Sequence, residues 1–483
     1  MKDVDFEMIA KTFQGLETVL ATELIELGAN NIQIGRRMVS FTGNKELLYR
    51  ANFQLRTAIK ILKPIKHFRA TSADEVYSAV QEIDWTQYLT NKTTFAVDSV
   101  VFSTEFRHSK FVAYKVKDAI VDQMRERTGE RPNIRVTNPD LQLHIHIAEY
   151  DCTLSLDSSG ESLHRRGYRQ ESVEAPLNEV LAAGIIMLTG WKGQCDLIDP
   201  MCGSGTIAIE AALIARGIAP GIYRKEYAFE KWSDFDKELF DTIYEDDSRE
   251  HDFEHHIYGY EINHNAVAIA TTNVKAAGLS KEITIVQQDF ADFKQPQEKS
   301  IIITNPPYGE RISAPDLLGL YKMIGSTLKH EFTEGDAWVL SYREECFDQI
   351  GLKPSLRTPL YNGSLECELR KYQIFSGKFN EMRAEGGDIK TAQERRMMAD
   401  RKRFKQHRDF KDKLEEDPKE RFRRKEERKD YKREERRDFK RSNREEEHRD
   451  FKRGNRKDDR RDFKRSDRKD FKRGKEKPYS KKK

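Results

Sequence analysis

The sequence predicts an α/β protein: a doubly wound parallel sheet, carried behind two smaller α+β units and followed by a charged tail. Three observations point there. From about residue 171, short apolar strands alternate with helical periods. A glycine-rich turn joins the first of those strands to its helix. Beyond about residue 390 no apolar period survives.

The first unit spans residues 1–68. Phe6, Met8 and Ala10 alternate, as in a half-buried strand. Leu16, Val19, Leu20, Leu24 and Leu27 recur at helical spacing, and Gly28 ends that run. Ile32, Ile34, Val39 and Phe41 make short strands around a turn. A second helix carries Leu47, Leu48 and Ala51, and a further strand carries Ile59, Leu62 and Ile65.

The second unit spans residues 69–170, with helices near 72–83 and 110–128 and strands near 94–103, 133–137, 141–149 and 152–157. Leu141, Leu143, Ile145 and Ile147 alternate with Gln142, His144 and His146, so one face is apolar and the other polar. His144 and His146 share the polar face without a third ligand in view. They are expected to be surface histidines, with no metal.

The parallel sheet is expected over residues 171–378. Helices are placed at 177–189, 206–215, 265–277 and 317–328, and strands at 195–198, 257–260, 283–286, 300–303 and 337–340. A closing hairpin turns at Asn362-Gly363. Residues 217–256 are too many for a loop and read as an insertion with a helix at 234–244. Residues 379–483 read as a disordered, low-complexity basic tail.

Charge is unevenly placed. Of 483 residues, 37% are hydrophobic and 35% charged. Residues 391–483 hold 41 Lys and Arg against 24 Asp and Glu, a net of +17, and the remaining 45 basic and 58 acidic residues leave the body at −13. That asymmetry suggests a polyanionic partner. Phe410, Phe422, Phe439, Phe451, Phe463 and Phe471 sit among the tail's cations. They favour RNA contact over a merely solvated polyampholyte. No run of about 18 apolar residues indicates a membrane span. The start, MKDVDFEMIAKTF, lacks the apolar core of a secretory signal. The five cysteines form no Cys-x-x-Cys pair, which suits a reducing, cytoplasmic setting.

Four strand ends carry candidate chemistry. Asp199-Pro-Met-Cys-Gly203-Ser-Gly205-Thr206-Ile-Ala208 fits the Gly-x-Gly-x-x-Gly/Ala turn of a Rossmann-like site. Glu261 ends the next strand, where an acid can accept from ribose hydroxyls. Asp289 and Phe290 end the third and suit an adenine, or else a helix cap and a core ring. Thr304-Asn305-Pro306-Pro307-Tyr308-Gly309 ends the fourth. Its two prolines fix the backbone, Asn305 and the Pro306 carbonyl can accept from an exocyclic amine, and Tyr308 offers a ring to an extruded base.

At these motifs the chain resembles class I, S-adenosylmethionine-dependent RNA methyltransferases. More closely, it resembles the THUMP-containing 23S ribosomal RNA guanine-N(2) methyltransferase family. Ala10-Lys-Thr-Phe-Gln-Gly-Leu-Glu17, His164-Arg-Arg-Gly-Tyr-Arg169 and Ala175-Pro-Leu-Asn178 carry the likeness outside the catalytic motifs, which extends over about residues 1–378. The resemblance implies a ferredoxin-like unit at 1–68, an RNA-binding THUMP domain at 69–170 and S-adenosylmethionine as cofactor. It implies that Asp199, Gly203, Gly205 and Thr206 line the methionine side. Glu261 would hold the ribose, Asp289 and Phe290 the adenine, and Asn305, Pro306, Pro307 and Tyr308 the target base. Arg165, Arg166 and Arg169 are expected to touch RNA. In some members a second methyltransferase unit follows the first; a charged tail stands in its place here, so one methylation is implied. The partner would be ribosomal RNA or a pre-ribosomal particle. Two other readings stay open at this point: an adenine 6-amino methyltransferase acting on RNA or DNA, and a non-catalytic RNA-binding assembly factor.

Overall fold

The structure is a computed structural model and describes residues 4–295, 299–307, 309, 316–332 and 334–375. Tyr308 and the charged tail lie outside the described residues. The N-terminal unit contains β1 (Phe6–Lys11), α1 (Glu17–Glu26), β2 (Asn30–Gly35), β3 (Met38–Gly43), α2 (Lys45–Gln54) and β4 (Lys60–Arg69). Next come α3 (Ala73–Gln81), β5 (Thr94–Phe102), α4 (Ser109–Thr128), β6 (Asn133–Ile134), β7 (Leu141–Ala148) and β8 (Asp151–Asp157). Side-chain caps set several helix starts: Asn44 accepts from Leu47 N and Ser72 from Glu75 N.

Two α+β units are expected over this half, and the structure joins them through one strand. β4 crosses the boundary at residue 68, pairing with β1 on one side and β8 on the other. The result is a single eight-stranded sheet in the order β2-β3-β1-β4-β8-β7-β5-β6. Its polar face is also more covered than the alternation implies. Gln142 and His144 are buried, and His144 Nδ1 has no partner. His144 is therefore not a surface histidine. Burial pushes it down to about 3, so its ring stays neutral.

The C-terminal half contains α5 (Glu179–Thr189), β9 (Asp196–Asp199), α6 (Thr206–Ala215), α7 (Lys237–Tyr244), β10 (Ile257–Glu261), α8 (His264–Ala276) and β11 (Ile283–Gln287). It continues with β12 (Ser300–Thr304), α9 (Leu317–His330), β13 (Gly335–Ser341), α10 (Glu344–Ile350), β14 (Leu356–Asn362) and β15 (Leu365–Ile374). The sheet order is β11-β10-β9-β12-β13-β15-β14. The first five strands are parallel, whereas β15 runs antiparallel to both β13 and β14, so the sheet is mixed at that edge. The chain leaves β9 toward β10 and β11, then returns to place β12 on the other side. That reversal opens a crevice at the carboxyl ends of β9 and β12.

The insertion fastens the two halves together. Tyr49 of α2 stacks on Phe229 at 4.4 Å between centroids, and Phe240 of α7 meets Phe229 edge-on at 5.1 Å. Arg56, just past α2, donates to the carbonyls of Leu213 (3.1 Å) and Ile218 (2.7 Å). No helix among the described residues is long and apolar enough to cross a membrane.

Candidate active site

The crevice collects four strand ends: Asp199 from β9, Glu261 from β10, Asp289 just past β11 and Asn305 just past β12. Asp199 is buried, and its Oδ1 accepts from Met201 N at 3.3 Å. Burial, with Glu261 nearby, pushes its carboxyl up to about 7. Glu261 braces the glycine turn. Its two oxygens accept from Gly203 N and Asn263 N, each at 3.0 Å. The turn is tied to β10 again by Cys202 N donating to Tyr260 O at 2.9 Å. Burial beside Asp199 and Glu261 raises the Cys202 thiol well above its ordinary value, so it is no ready nucleophile.

The two glycines of the turn do different work. Gly203 has φ +53°, and a side chain there would enter open space, with Val173 Cγ2 nearest at 3.9 Å. That open side is where a ligand can reach the backbone. Gly205 has φ +82°, and a side chain there would meet Ala270 Cβ of α8 at 3.4 Å. Gly205 thus serves helix packing and the turn's left-handed backbone, not the ligand side expected of it.

The arginine cluster is also placed otherwise than expected. Arg165 is exposed and pairs with Glu161 at 2.8 Å. Arg166 is 2% exposed and ion-paired to Glu210 of α6 at 3.3 Å, with Tyr168 Oη donating to the same oxygen at 3.0 Å. It cannot meet RNA without leaving the core. Arg169 is spent on four contacts. It donates to Glu179 Oε1 (2.8 Å), Ser204 Oγ (2.7 Å), Thr206 Oγ1 (2.9 Å) and the Leu177 carbonyl (3.2 Å). Asn273 adds a second clamp, donating to the carbonyls of Glu171 and Ser204 at 3.0 and 3.1 Å. These two side chains hold the glycine turn. Only their spatial neighbours reveal it, because in sequence Arg169 sits among arginines and Asn273 in a helix.

Asp289 caps a short helical turn by accepting from Ala291 N at 2.9 Å, leaving it half-buried at the crevice. The Phe290 ring is 3% exposed and packs against Phe293 at 5.4 Å, so it belongs to the core and is not offered to a base. The exposed apolar surface at this end is Ile262, 63% exposed directly after Glu261. It can lie against a nucleoside, and nothing in the sequence period singles it out. Asn305 is half-buried, its Oδ1 sealed from solvent without a hydrogen-bond partner, and the rigid Pro306-Pro307 pair follows. An open glycine face, a strand-end carboxylate and an unpaired acceptor fit a nucleoside cofactor beside an amine substrate.

Three domain families match this chain. An RlmL ferredoxin-like domain matches residues 7–62, a THUMP domain residues 70–157, and an RMKL-like methyltransferase domain residues 166–371. A putative RNA methyltransferase of Synechocystis is 37% identical over 369 residues, covering 76% of this chain and 96% of that protein. A ribosomal RNA large subunit methyltransferase K/L of Syntrophotalea carbinolica is 38% identical over 391 residues, covering 78% of this chain. The chain spans about half of that relative, 55% of its length. Among solved structures, SMU.472, a putative methyltransferase complexed with SAH, superposes with a TM-score of 0.70. It is 29% identical and covers 78% of this chain and all of that one.

Proposed function

We propose that this chain, which belongs to the THUMP-containing RMKL-like methyltransferase family, methylates the exocyclic 2-amino group of a guanine in large-subunit ribosomal RNA. S-adenosylmethionine is the cofactor that the residues fit, and when bound it supplies a methyl group already activated for transfer. Gly203 would accept it against the backbone, Asp199 would face its charged methionine end, Glu261 would take the ribose hydroxyls, and Asp289 with Ile262 would take the adenine. The match to an SAH-bound relative supports this assignment.

The chain's own part is to prepare the amine. A guanine amino group is a poor nucleophile because its lone pair is delocalised into the ring. Accepting hydrogen bonds from its two N–H groups at Asn305 Oδ1 and the Pro306 carbonyl favours a pyramidal nitrogen with the lone pair free, and the methylated nitrogen then releases one proton to solvent. The two prolines keep both acceptors fixed, so little reorganisation is left for the reactive moment. Tyr308 follows them in the sequence and would offer its ring to the base.

The observation that carries the reading is the unpartnered Asn305 Oδ1. A buried acceptor without a donor costs about 1–3 kcal/mol, and is kept where a ligand completes it. The test is methyl transfer to ribosomal RNA with native protein and Asn305→Ala, with products digested to nucleosides. N2-methylguanosine is expected from the native protein. Asn305→Ala should lose roughly 100-fold in rate, about 2.7 kcal/mol in the transition state, with RNA binding barely changed. N6-methyladenosine as product would give the adenine reading instead. No methylation of any RNA form would give the assembly-factor reading.

A further inference from the structure

We infer that Arg343 donates to the O6/N7 edge of the target base and so selects guanine over adenine; this rests on the methyltransferase reading above. The chemistry calls for such a residue. Asn305 Oδ1 and the Pro306 carbonyl accept from an exocyclic amine, and the 6-amino group of adenine offers the same two N–H groups as the 2-amino group of guanine. Two acceptors therefore hold either base. The difference lies across N1. Guanine held by its 2-amino group presents the acceptor O6 there, with N7 beside it, whereas adenine held by its 6-amino group presents only C–H. A forked donor at that place separates the two bases.

The strand order lays the ligands along one edge of the sheet. β11, β10 and β9 lead to Asp289, Glu261 and Asp199 on the cofactor's side, and β12 leads to Asn305, at the amine. The next strand outward is β13, so its carboxyl end borders the part of the base that lies beyond the amine. Thr304 is level with Val339 in that parallel pair, and the chain therefore leaves β12 and β13 side by side. Arg343 stands two residues past β13 and is half-buried. Its Nη2 lies 3.7 Å from the point that a Cβ on Gly309 would occupy, which brings the guanidinium to the far end of the Asn305–Gly309 motif. Beside a row of strand-end carboxylates it supplies a planar fork of donors. The fork is also aimed. Nε donates to Tyr342 Oη at 2.6 Å, and Cζ lies 5.2 Å from the centroid of that ring. Ser341 Oγ accepts from Arg343 N at 3.4 Å and from Tyr321 Oη of α9 at 3.0 Å, which ties the segment to the helix beneath it. Nη1 lies 3.5 Å from Glu345 in an exposed ion pair, a contact that contributes little and yields easily to a base.

The test uses the full chain and an RNA fragment around the guanine that the native protein methylates, prepared with guanine or with 2-aminopurine at that one place. 2-Aminopurine keeps the 2-amino group and carries C–H where guanine carries C6=O. Arg343→Met keeps an apolar stem beside the Tyr342 ring and removes the donors. It should lower kcat/KM on the guanine RNA by roughly 30-fold and on the 2-aminopurine RNA by no more than about threefold. Running both proteins on the same two RNAs cancels differences in RNA folding and in amine reactivity. Arg343→Lys, a single point donor in place of a fork, should keep part of the preference, and it serves if the Met variant folds poorly. Affinity for S-adenosylhomocysteine should stay native in both variants and reports the fold. Equal slowing on the two RNAs, or a guanine preference that survives in a folded Arg343→Met protein, would overturn the inference and leave the guanine reading intact. N6-methyladenosine from the native protein, or no methylated product, would remove that reading and the inference with it.

Discussion

Arg169→Ala offers the sharpest check on how the cofactor turn is held. Arg169 donates to Ser204 Oγ at 2.7 Å and Thr206 Oγ1 at 2.9 Å, bracketing Gly205. Taking about 1 kcal/mol net for each hydrogen bond, the turn loses about 2 kcal/mol of ordering when both vanish. At 1.4 kcal/mol for each factor of ten, affinity for a ligand that needs the ordered turn should fall roughly 30-fold. The assay is isothermal titration with S-adenosylhomocysteine, which binds without turnover. Arg169→Lys keeps a cation near Glu179, but one ammonium cannot span two hydroxyls and a carbonyl, so it should rescue only part of the loss. At saturating cofactor the turnover number should stay within about threefold of native, because these hydrogen bonds are equal in ground and transition states. A folded Arg169→Ala protein with native affinity would refute the reasoning, even if its melting temperature had dropped. Arg169 would then be only a structural residue.

Three further outcomes follow from the same geometry. Asp199 is held near 7 in the fold against roughly 4 in an unfolded chain, so the fold binds the proton more tightly. The contribution of Asp199 to stability should be fully present below about pH 4 and be lost as pH rises through about 7, by on the order of 4 kcal/mol. Asp199→Asn should flatten that part of a melting-temperature profile. S-adenosylmethionine, being cationic, should bind native protein better as pH rises through 7, and Asp199→Asn should lose this dependence in titrations. Arg166→Ala should cost about 3–5 kcal/mol in denaturant unfolding by stranding Glu210, while the folded fraction binds RNA as native protein does. Selective loss of RNA affinity with native stability would return Arg166 to the RNA surface. Gly203→Ala should weaken cofactor binding more than it lowers melting temperature, and Gly205→Ala the reverse, because only Gly203 faces open space.

Period and turn chemistry made most of the catalytic half legible. The helix at 206–215 is found as expected, and the closing hairpin turns one residue later than expected, at Gly363-Ser364, with Asn362 paired to Leu365. The strand ends converge because parallel strands bring their carboxyl ends to one edge, which sequence order already implies. What stayed hidden was pairing and packing across the chain. Nothing local says that β4 serves two units at once, because its sequence reads the same whether one side or both are paired. His144 alternates like a solvent-facing residue, and only packing over that face buries it. A ring after a strand-end acid reads equally as a base platform or as core, and for Phe290 it is core. The arginines of residues 165–169 look alike in sequence, yet their fates diverge: one meets water, one a buried glutamate, and one two hydroxyls of the glycine turn.

That last divergence ties the N-terminal half to the glycine turn. Residues 158–178 connect β8 to α5, and two of their arginines grip the same helix. Arg169 holds α6 at its first turn through Thr206, and Arg166 holds it at mid-length through Glu210. Arg166 also donates to the Arg56 carbonyl at 2.6 Å, and Arg56 in turn donates to the carbonyls of Leu213, in the last turn of α6, and Ile218, just past it. The helix that carries the cofactor turn is thus fixed by the N-terminal unit at one end and by the connector at the other. Any shift of the N-terminal half that strains the connector must strain Ser204 and Thr206 as well. By linkage the effect runs both ways: if ordering the turn favours cofactor, RNA that settles the connector should tighten cofactor binding by the same factor that cofactor tightens RNA. The buried pair at Glu210 matters here for geometry more than for stability, since a buried ion pair returns little net energy but is costly to misalign.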